Sequence, residues 1–137
     1  MIPNPTGRGK RSEAIILSAL AQTGLSVLLP IGEERFDLVA YDGQPFTRIQ
    51  CKTGRLRGGC VEFNTCVRDL RRPNGDGGYH GQMDAFGVYC PQNQIVYLVP
   101  IERVPCITLG TLRVEPPRNG QTHNIRWARD YELILNR

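Results

Sequence analysis

Arg35-Phe36-Asp37-Leu38-Val39-Ala40-Tyr41 and, after a turn, Arg48-Ile49-Gln50-Cys51-Lys52-Thr53-Gly54 are the two stretches whose pairing decides the fold. An aspartate interrupts the first apolar run, and a Gln-x-Lys triplet lies in the second. Between them Asp42-Gly43 is a strong turn signal, so the runs are expected to pair as a β-hairpin. Asp37, Gln50 and Lys52 would then converge at one edge of a sheet. An acidic oxygen, an amide oxygen and an ammonium sharing one small volume suit a divalent metal and a water activated beside a phosphate.

The flanking segments give an α/β arrangement. Residues 1–9 read as a loop and residues 10–23 as a helix with Ile16 and Leu20 four apart, Glu13 in the first turn and Gly24 placed to stop it. Strands are expected at Leu25–Leu29, Phe36–Tyr41 and Phe46–Lys52. Gly54, Gly58 and Gly59 then break the pattern, Cys60–Val67 reads as a strand, and Arg71–Gly81 as a loop. Ala85–Cys90 and Ile95–Val99 form two strands joined by Pro91-Gln92-Asn93-Gln94. Residues 102–124 are irregular with short strands at 106–109 and 111–114, and residues 126–135 suggest a closing helix. No linker interrupts the chain, so residues 1–137 are expected to form a single domain.

Charge narrows the partners. The chain of 137 residues carries a net +4. Residues 48–72 hold seven basic side chains (Arg48, Lys52, Arg55, Arg57, Arg68, Arg71, Arg72) against two acids (Glu62, Asp69), so the excess is concentrated there. A basic segment beside candidate metal ligands points to a polyanion, with nucleic acid the leading choice. Five cysteines (Cys51, Cys60, Cys66, Cys90, Cys106) lack the close spacing of a zinc site and an even disulfide framework, which suggests a reducing, cytoplasmic compartment. No apolar run reaches the ~20 residues of a membrane span.

Each candidate has a plainer reading as well. Asp37 could pair with Arg35 or Arg48. Gln50 and Lys52, spaced i, i+2, share one face of a strand, which could be simply its solvent side. Glu13 could serve the helix dipole alone. His80 could act as a base or merely sit in a turn, and His123 reads as a surface residue. Asp84 could cap the turn before the Ala85 strand or bond to an active-site loop. Arg8, Lys10 and Arg11 read as a basic arm.

Taken together, a helix Glu13, a second-strand Asp37 and a third-strand Gln50-Cys51-Lys52 resemble the signature of the PD-(D/E)XK nuclease superfamily. The nearest likeness is to its group I intron-associated homing endonucleases, in which Gln can replace the third-motif acid. Tyr79-His80-Gly81-Gln82-Met83-Asp84-Ala85-Phe86-Gly87-Val88-Tyr89 and Val96-Tyr97-Leu98-Val99-Pro100 are similar to the same group. Archaeal-type Holliday junction resolvases are similar too. Phe36 stands where the motif name has Pro, and Gln50 lowers the site's formal negative charge.

The resemblance implies a core of helix, three-strand meander, helix and strand, with extra strands here. It implies metal-dependent cleavage of DNA. Asp37, Gln50, the Cys51 main-chain carbonyl and Glu13 would hold Mg²⁺, for which Mn²⁺ would substitute. Lys52 would orient or deprotonate the attacking water. Arg8, Lys10, Arg11, Arg55, Arg57, Arg68, Arg71 and Arg72 would contact duplex DNA, with Arg71-Arg72 able to enter a groove. Cutting both strands calls for two sites, hence a homodimer or homotetramer. The rival readings are a junction resolvase, a non-catalytic DNA-binding module on the same fold, and an RNA-binding protein.

Overall fold

A proline in the first helical turn has a suitable fixed φ and lacks an N–H that the turn would leave unpaired anyway. Pro5 uses both properties. Helix α1 runs Pro5–Gln22 in the computed structural model, which describes residues 5–65, 82–104 and 109–134. The expected loop over residues 1–9 is thus corrected from residue 5 onward. Gly7 and Gly9 each weaken a helix by about 1 kcal/mol, yet the helix extends through them. Glu13 therefore sits mid-helix, away from the first turn, and the dipole reading of it falls away. Arg8, Lys10 and Arg11 are exposed helix residues and not an arm. At the other end Gly24 adopts φ +94°, and the N–H groups of Thr23 and Gly24 bond to the carbonyls of Leu20 and Ala21 at 3.1 Å.

The buried stripe of α1 is Ser12, Ile16 and Leu20. It lies on a five-stranded sheet built from β1 (Ser26–Leu28), β2 (Leu38–Tyr41), β3 (Thr47–Thr53), β6 (Ala85–Cys90) and β7 (Ile95–Pro100), in the order β1-β2-β3-β6-β7. β3 and β6 run parallel, and the other neighbours are antiparallel. The helix approaches closely because residue 87 has no side chain. A β-carbon there would lie 3.0 Å from Cγ2 of both Ile16 and Ile49. Ile16, Leu20, Leu38, Ala40, Ile49 and Ala85 form the core on this side.

A second sheet covers the opposite face. It joins β4 (Arg55–Arg57), β5 (Cys60–Asn64) and β8 (Leu109–Arg113) in that order, all antiparallel. β4 was not expected, because a single apolar Leu56 between two arginines leaves too short a pattern to see. Gly58 and Gly59 have φ +59° and +77°, the pair of positive values that a type I′ hairpin needs. What reads as a break is a turn. Gly54 lets β3 run on into β4 across the interior: a β-carbon there would meet Cγ1 of Val61 at 2.8 Å and of Val88 at 2.9 Å. Val61, Phe63 and Leu112 pack against Phe86, Val88, Cys90, Tyr97 and Val99.

The expected helix at 126–135 is also corrected. Its described residues, 126–134, contain one 3₁₀ turn, Ala128–Tyr131, after which Glu132 bridges Tyr97 and the Leu133 N–H bonds to the Val96 carbonyl at 2.9 Å. Hydrogen bonds to the otherwise open edge of β7 outcompete a short helix. The strand expected at 111–114 is β8, displaced towards the N-terminus. Residues 105–108, with most of the strand expected at 106–109, lie outside the described residues. So do Arg68, Arg71, Arg72, Tyr79, His80, Cys66 and Cys106, and the 66–81 segment where the second core helix would fall. Among the described residues α1 is the only α-helix, and no helix is long and apolar enough to cross a membrane.

Asp84 clamps the starts of β3 and β6. Its Oδ2 accepts the Arg48 main-chain N–H at 2.8 Å and Nε–H at 3.1 Å, and its own N–H donates to the Arg48 carbonyl at 2.9 Å. Its main-chain carbonyl also accepts the Ile101 N–H at 3.0 Å. The Asp84 carboxylate thus neither caps the turn before β6 nor bonds a loop in these contacts; it ties the start of β6 to Arg48 on β3. Arg48 holds this carboxyl below the usual carboxylate range.

Two outcomes follow from this packing. Gly87→Val overpacks the helix–sheet contact and should cost about 1–3 kcal/mol, read as a lower urea midpoint. Asp84→Asn should cost about 1 kcal/mol or less at neutral pH, since 42 % of the Asp84 side chain is exposed. A depressed carboxyl stabilises above its unfolded value, ordinarily 3.8, and the benefit is lost as pH falls through the lower folded one. The gap between wild type and Asp84→Asn should therefore close in strong acid.

Candidate active site

β2 begins at Leu38, one residue beyond Asp37, and this explains how Asp37 is held. The Asp37 N–H continues the ladder to the Ile49 carbonyl at 2.8 Å. Two residues further along β3 the Cys51 N–H has run past the end of β2. The Asp37 carboxylate takes its place, with Oδ2 accepting that N–H at 2.8 Å. Phe36, expected in the strand, packs instead against the core between the sheets. The aspartate is thus fixed on β3 through the Cys51 N–H, while Arg48 is bonded to Asp84.

β3 divides its side chains by alternation. Ile49 and Cys51 belong to the side of α1, where Cys51 is partly buried against the core, as the sequence led one to expect. Gln50 and Lys52 lie in register with Phe86 and Val88 and belong to the opposite face. Both are half-buried, so neither stands on a freely solvated edge.

Glu13 reaches the same end of β3. Buried Ser12, its chain neighbour, shares a 2.6 Å hydroxyl–hydroxyl hydrogen bond with Thr53, the neighbour of Lys52. The sequence reading missed this pair. Its signal was a serine on the stripe of Ile16 and Leu20, a polar group at a core position that requires a partner.

The electrostatics show that the groups converge. Burial pushes the Asp37 carboxyl up; the Cys51 N–H and the Lys52 charge pull it partly back. Burial and then the negative charge of Asp37 push Glu13 up, against Lys10. Burial, Asp37 and Glu13 together drive the Cys51 thiol far above its ordinary value. Glu13, Asp37, Cys51 and Lys52 therefore share one field. Gln50 is brought to this strand end by its place in β3.

The donors fit a hard cation. Two nearby carboxylates whose charged forms are disfavoured by burial are groups a divalent ion relieves. Among the described residues no three His, Cys, Asp or Glu side chains form a cage. An ion held by Asp37 and Glu13 would complete its shell with the Gln50 amide oxygen, the Cys51 carbonyl and water or phosphate, an all-oxygen set of the kind Mg²⁺ accepts.

A groove of about 760 Å³ is reached through Ser12 and Thr53, the chain neighbours of Glu13 and Lys52, although none of Glu13, Asp37, Gln50 and Lys52 lines it. Its lining includes Arg8, Arg11, Ser12, Thr53, Arg55 and Glu62. Arg8 and Arg11 lie one turn apart on α1. Arg55 has a 3.9 Å ion pair with Glu62 while 64 % of its side chain stays exposed. Lys10 and Arg57 are exposed, and neither lines this groove.

Asp37→Asn tests the field. A raised carboxyl favours the folded state when protonated and costs stability as pH rises through the folded value. In metal-free buffer at neutral pH the Asp37→Asn protein should melt no lower than wild type, because the amide oxygen can still accept the Cys51 N–H. Any gain should vanish below the ordinary carboxyl value of 3.8. Added Mg²⁺ should raise the melting temperature of wild type and leave that of Asp37→Asn unmoved.

The chain matches a family model described as "PD-(D/E)XK endonuclease" over residues 4–134. A solved structure, that of the bacterial homing endonuclease I-Ssp6803I, is similar in fold: TM-score 0.65 at 16 % identity, over 96 % of this chain and 88 % of that one. No curated protein matches the chain. With a helix-borne Glu13, Asp37 at the head of β2 and Gln50-Cys51-Lys52 in β3, and with the family match spanning nearly the whole sequence, the chain belongs to the PD-(D/E)XK endonuclease family.

Proposed function

We propose that this chain is a Mg²⁺-dependent DNA endonuclease of the homing type, a single domain over residues 1–137 that works in the cytoplasm as a homodimer or homotetramer. The observation that carries the reading is the pinned, half-buried Asp37 carboxylate, bonded to the Cys51 N–H and sharing its field with Glu13 and Lys52. The free thiols of Cys51, Cys60 and Cys90 agree with a reducing compartment. The solved structure of similar fold is that of a homing endonuclease, which favours that type over a resolvase.

Each residue has a part in this reading. Asp37 and Glu13 supply negative charge, and the Gln50 amide and Cys51 carbonyl supply neutral oxygens, so Asp37, Glu13, Gln50 and Cys51 would hold Mg²⁺ or Mn²⁺. When bound, that ion polarises the phosphoryl oxygen and acidifies water. Lys52, on the same strand face as Gln50, orients the attacking water and offers positive charge to the phosphorane-like transition state. Glu13 accepts a hydrogen bond from that water and competes for its proton. Arg8, Lys10 and Arg11 on α1 neutralise backbone phosphates, and Arg55 makes a further contact to the duplex. Arg57 and the undescribed Arg68, Arg71 and Arg72 would add to that footprint.

The test is incubation of wild type and Lys52→Ala with plasmid and four-way-junction DNA, in Mg²⁺ or EDTA. Wild type should cut only with the metal. Lys52→Ala should lose about 10²–10⁴-fold in rate while retaining DNA affinity in a gel-shift assay. Preference for the junction would replace the homing reading with a resolvase. Binding without cutting on any of a library of random duplexes would leave a DNA-binding module. Preference for RNA over duplex DNA would discard both.

A further inference from the structure

The outer face of the small sheet carries a set of arginines for which the catalytic cluster has no use. Leu56, Val61, Phe63 and Leu112 turn into the core. Alternation leaves Arg55, Arg57, Cys60, Glu62, Thr111 and Arg113 on the other face. The register lays them in rows: Arg57 beside Cys60 beside Arg113, and Arg55 beside Glu62 beside Thr111. A parallel bridge from Arg113 to Trp127 widens the face and brings in Arg126. Arg126 donates from Nε to the Thr111 carbonyl at 3.2 Å and from its terminal nitrogen to Thr111 Oγ1 at 3.3 Å. Arg113 spans the hairpin tip, donating to the Gly58 and Glu115 carbonyls at 3.4 and 3.5 Å. Arg55, Arg57, Arg113 and Arg126 thus share these rows with the Glu62 carboxylate.

The cations outnumber the acids here: Glu62 is the one acid in the rows among the described residues, and Glu115 Oε2 lies near the Arg113 guanidinium around Gly59 at the hairpin tip. The shape is selective as well. β4 and β5 form a hairpin closed by Gly58-Gly59 at one edge of the three-stranded sheet, with the Arg113 and Glu115 side chains beside Gly59. The major groove of B-DNA, about 12 Å wide, admits two strands, so the β4-β5 edge of the sheet with its turn is the part that would enter it. Arg55 and Arg57 are two residues apart on one strand, about 6.8 Å, and the base-pair rise is about 3.4 Å. Their spacing therefore matches two base-pair steps. Arg55 lines the same groove as Thr53 and Ser12, the chain neighbours of Lys52 and Glu13, so this face is continuous with the strand end that carries the cluster.

We propose that the outer face of β4-β5-β8 is the specificity-determining surface, placed in the major groove of duplex DNA. Arg55, Arg57 and Arg113 read base edges there, and Glu62 and Thr111 hold Arg55 and Arg126 in place. The proposal rests on the endonuclease reading and assigns to this sheet the choice of target.

Binding selection separates the two. The cleavage-deficient Asp37→Asn protein is mixed with a library of random-sequence duplexes, and the bound fraction is sequenced. The same is done with Arg57→Ala, Arg113→Ala or Arg8→Ala added. The Asp37→Asn protein should enrich a motif. Arg57→Ala and Arg113→Ala should each erase preference at one or two discrete positions, with about a tenfold or greater loss on the selected duplex. Arg8→Ala on the helix should weaken all duplexes alike and lower the salt slope by about 1. The proposal is overturned if Arg57→Ala and Arg113→Ala leave the motif intact, whether binding falls uniformly or not at all. It is equally overturned if no motif is enriched. In that case Mg²⁺-dependent nicking of plasmid by wild type would show that the endonuclease reading stands without it.

Discussion

The absence of a side chain at residue 87 sets the distance between helix and sheet, and much of the molecule follows from that distance. Ile16 rests over Gly87 and against Ile49. With the helix that low, Ser12 reaches Thr53 and the next residue, Glu13, enters the field of Asp37. A bulkier residue on β6 would lift α1 as a body. The carboxylate it carries would withdraw from the end of β3 without any change in the acidic residues themselves. Packing and chemistry are coupled here through one missing β-carbon.

Two aspartates on the same sheet show how environment divides similar groups. Asp84 faces a guanidinium and a main-chain donor at the starts of parallel strands, and is held ionised. Asp37 has one main-chain donor, a nearby lysine and a nearby acid, and burial dominates. The first is a joint whose charge is already satisfied. The second bears a burial cost that its partners only partly offset, as expected of a group suited to a cation.

The hairpin of Asp37 and Gln50-Cys51-Lys52 was legible because alternation, a turn signal and one misplaced polar residue agreed. The core of β6 was legible for a related reason: a strand flanked by strands and covered on both faces reads as a continuous apolar run. The start of α1 was hidden by Gly7 and Gly9, whose low propensity is overcome by burial of Ile16 and Leu20 later in the same helix. β4 was hidden because its three residues pair with β5 and expose two arginines. The C-terminal segment has helical composition in isolation, yet it meets an unpaired strand edge. That competition depends on a neighbour distant in the chain. Ser12–Thr53 and Arg48–Asp84 were illegible as pairs for the same reason, although each member stood out as polar where the pattern was apolar.

The continuity of β3 into β4 through Gly54 has a consequence for how this chain can vary. The chemical triplet and the arginine hairpin sit on one nearly unbroken extended path, with side chains alternating at a period of two. Substitution of letters along β4 changes what the outer face presents and leaves Lys52 in its place. Insertion or loss of a single residue between Thr53 and Arg55 would turn the hairpin over, driving arginines into the core and leucine outwards. The segment can thus drift in composition but not in length. New surface chemistry can arise here by point substitution alone, without rebuilding the scaffold that holds the carboxylates.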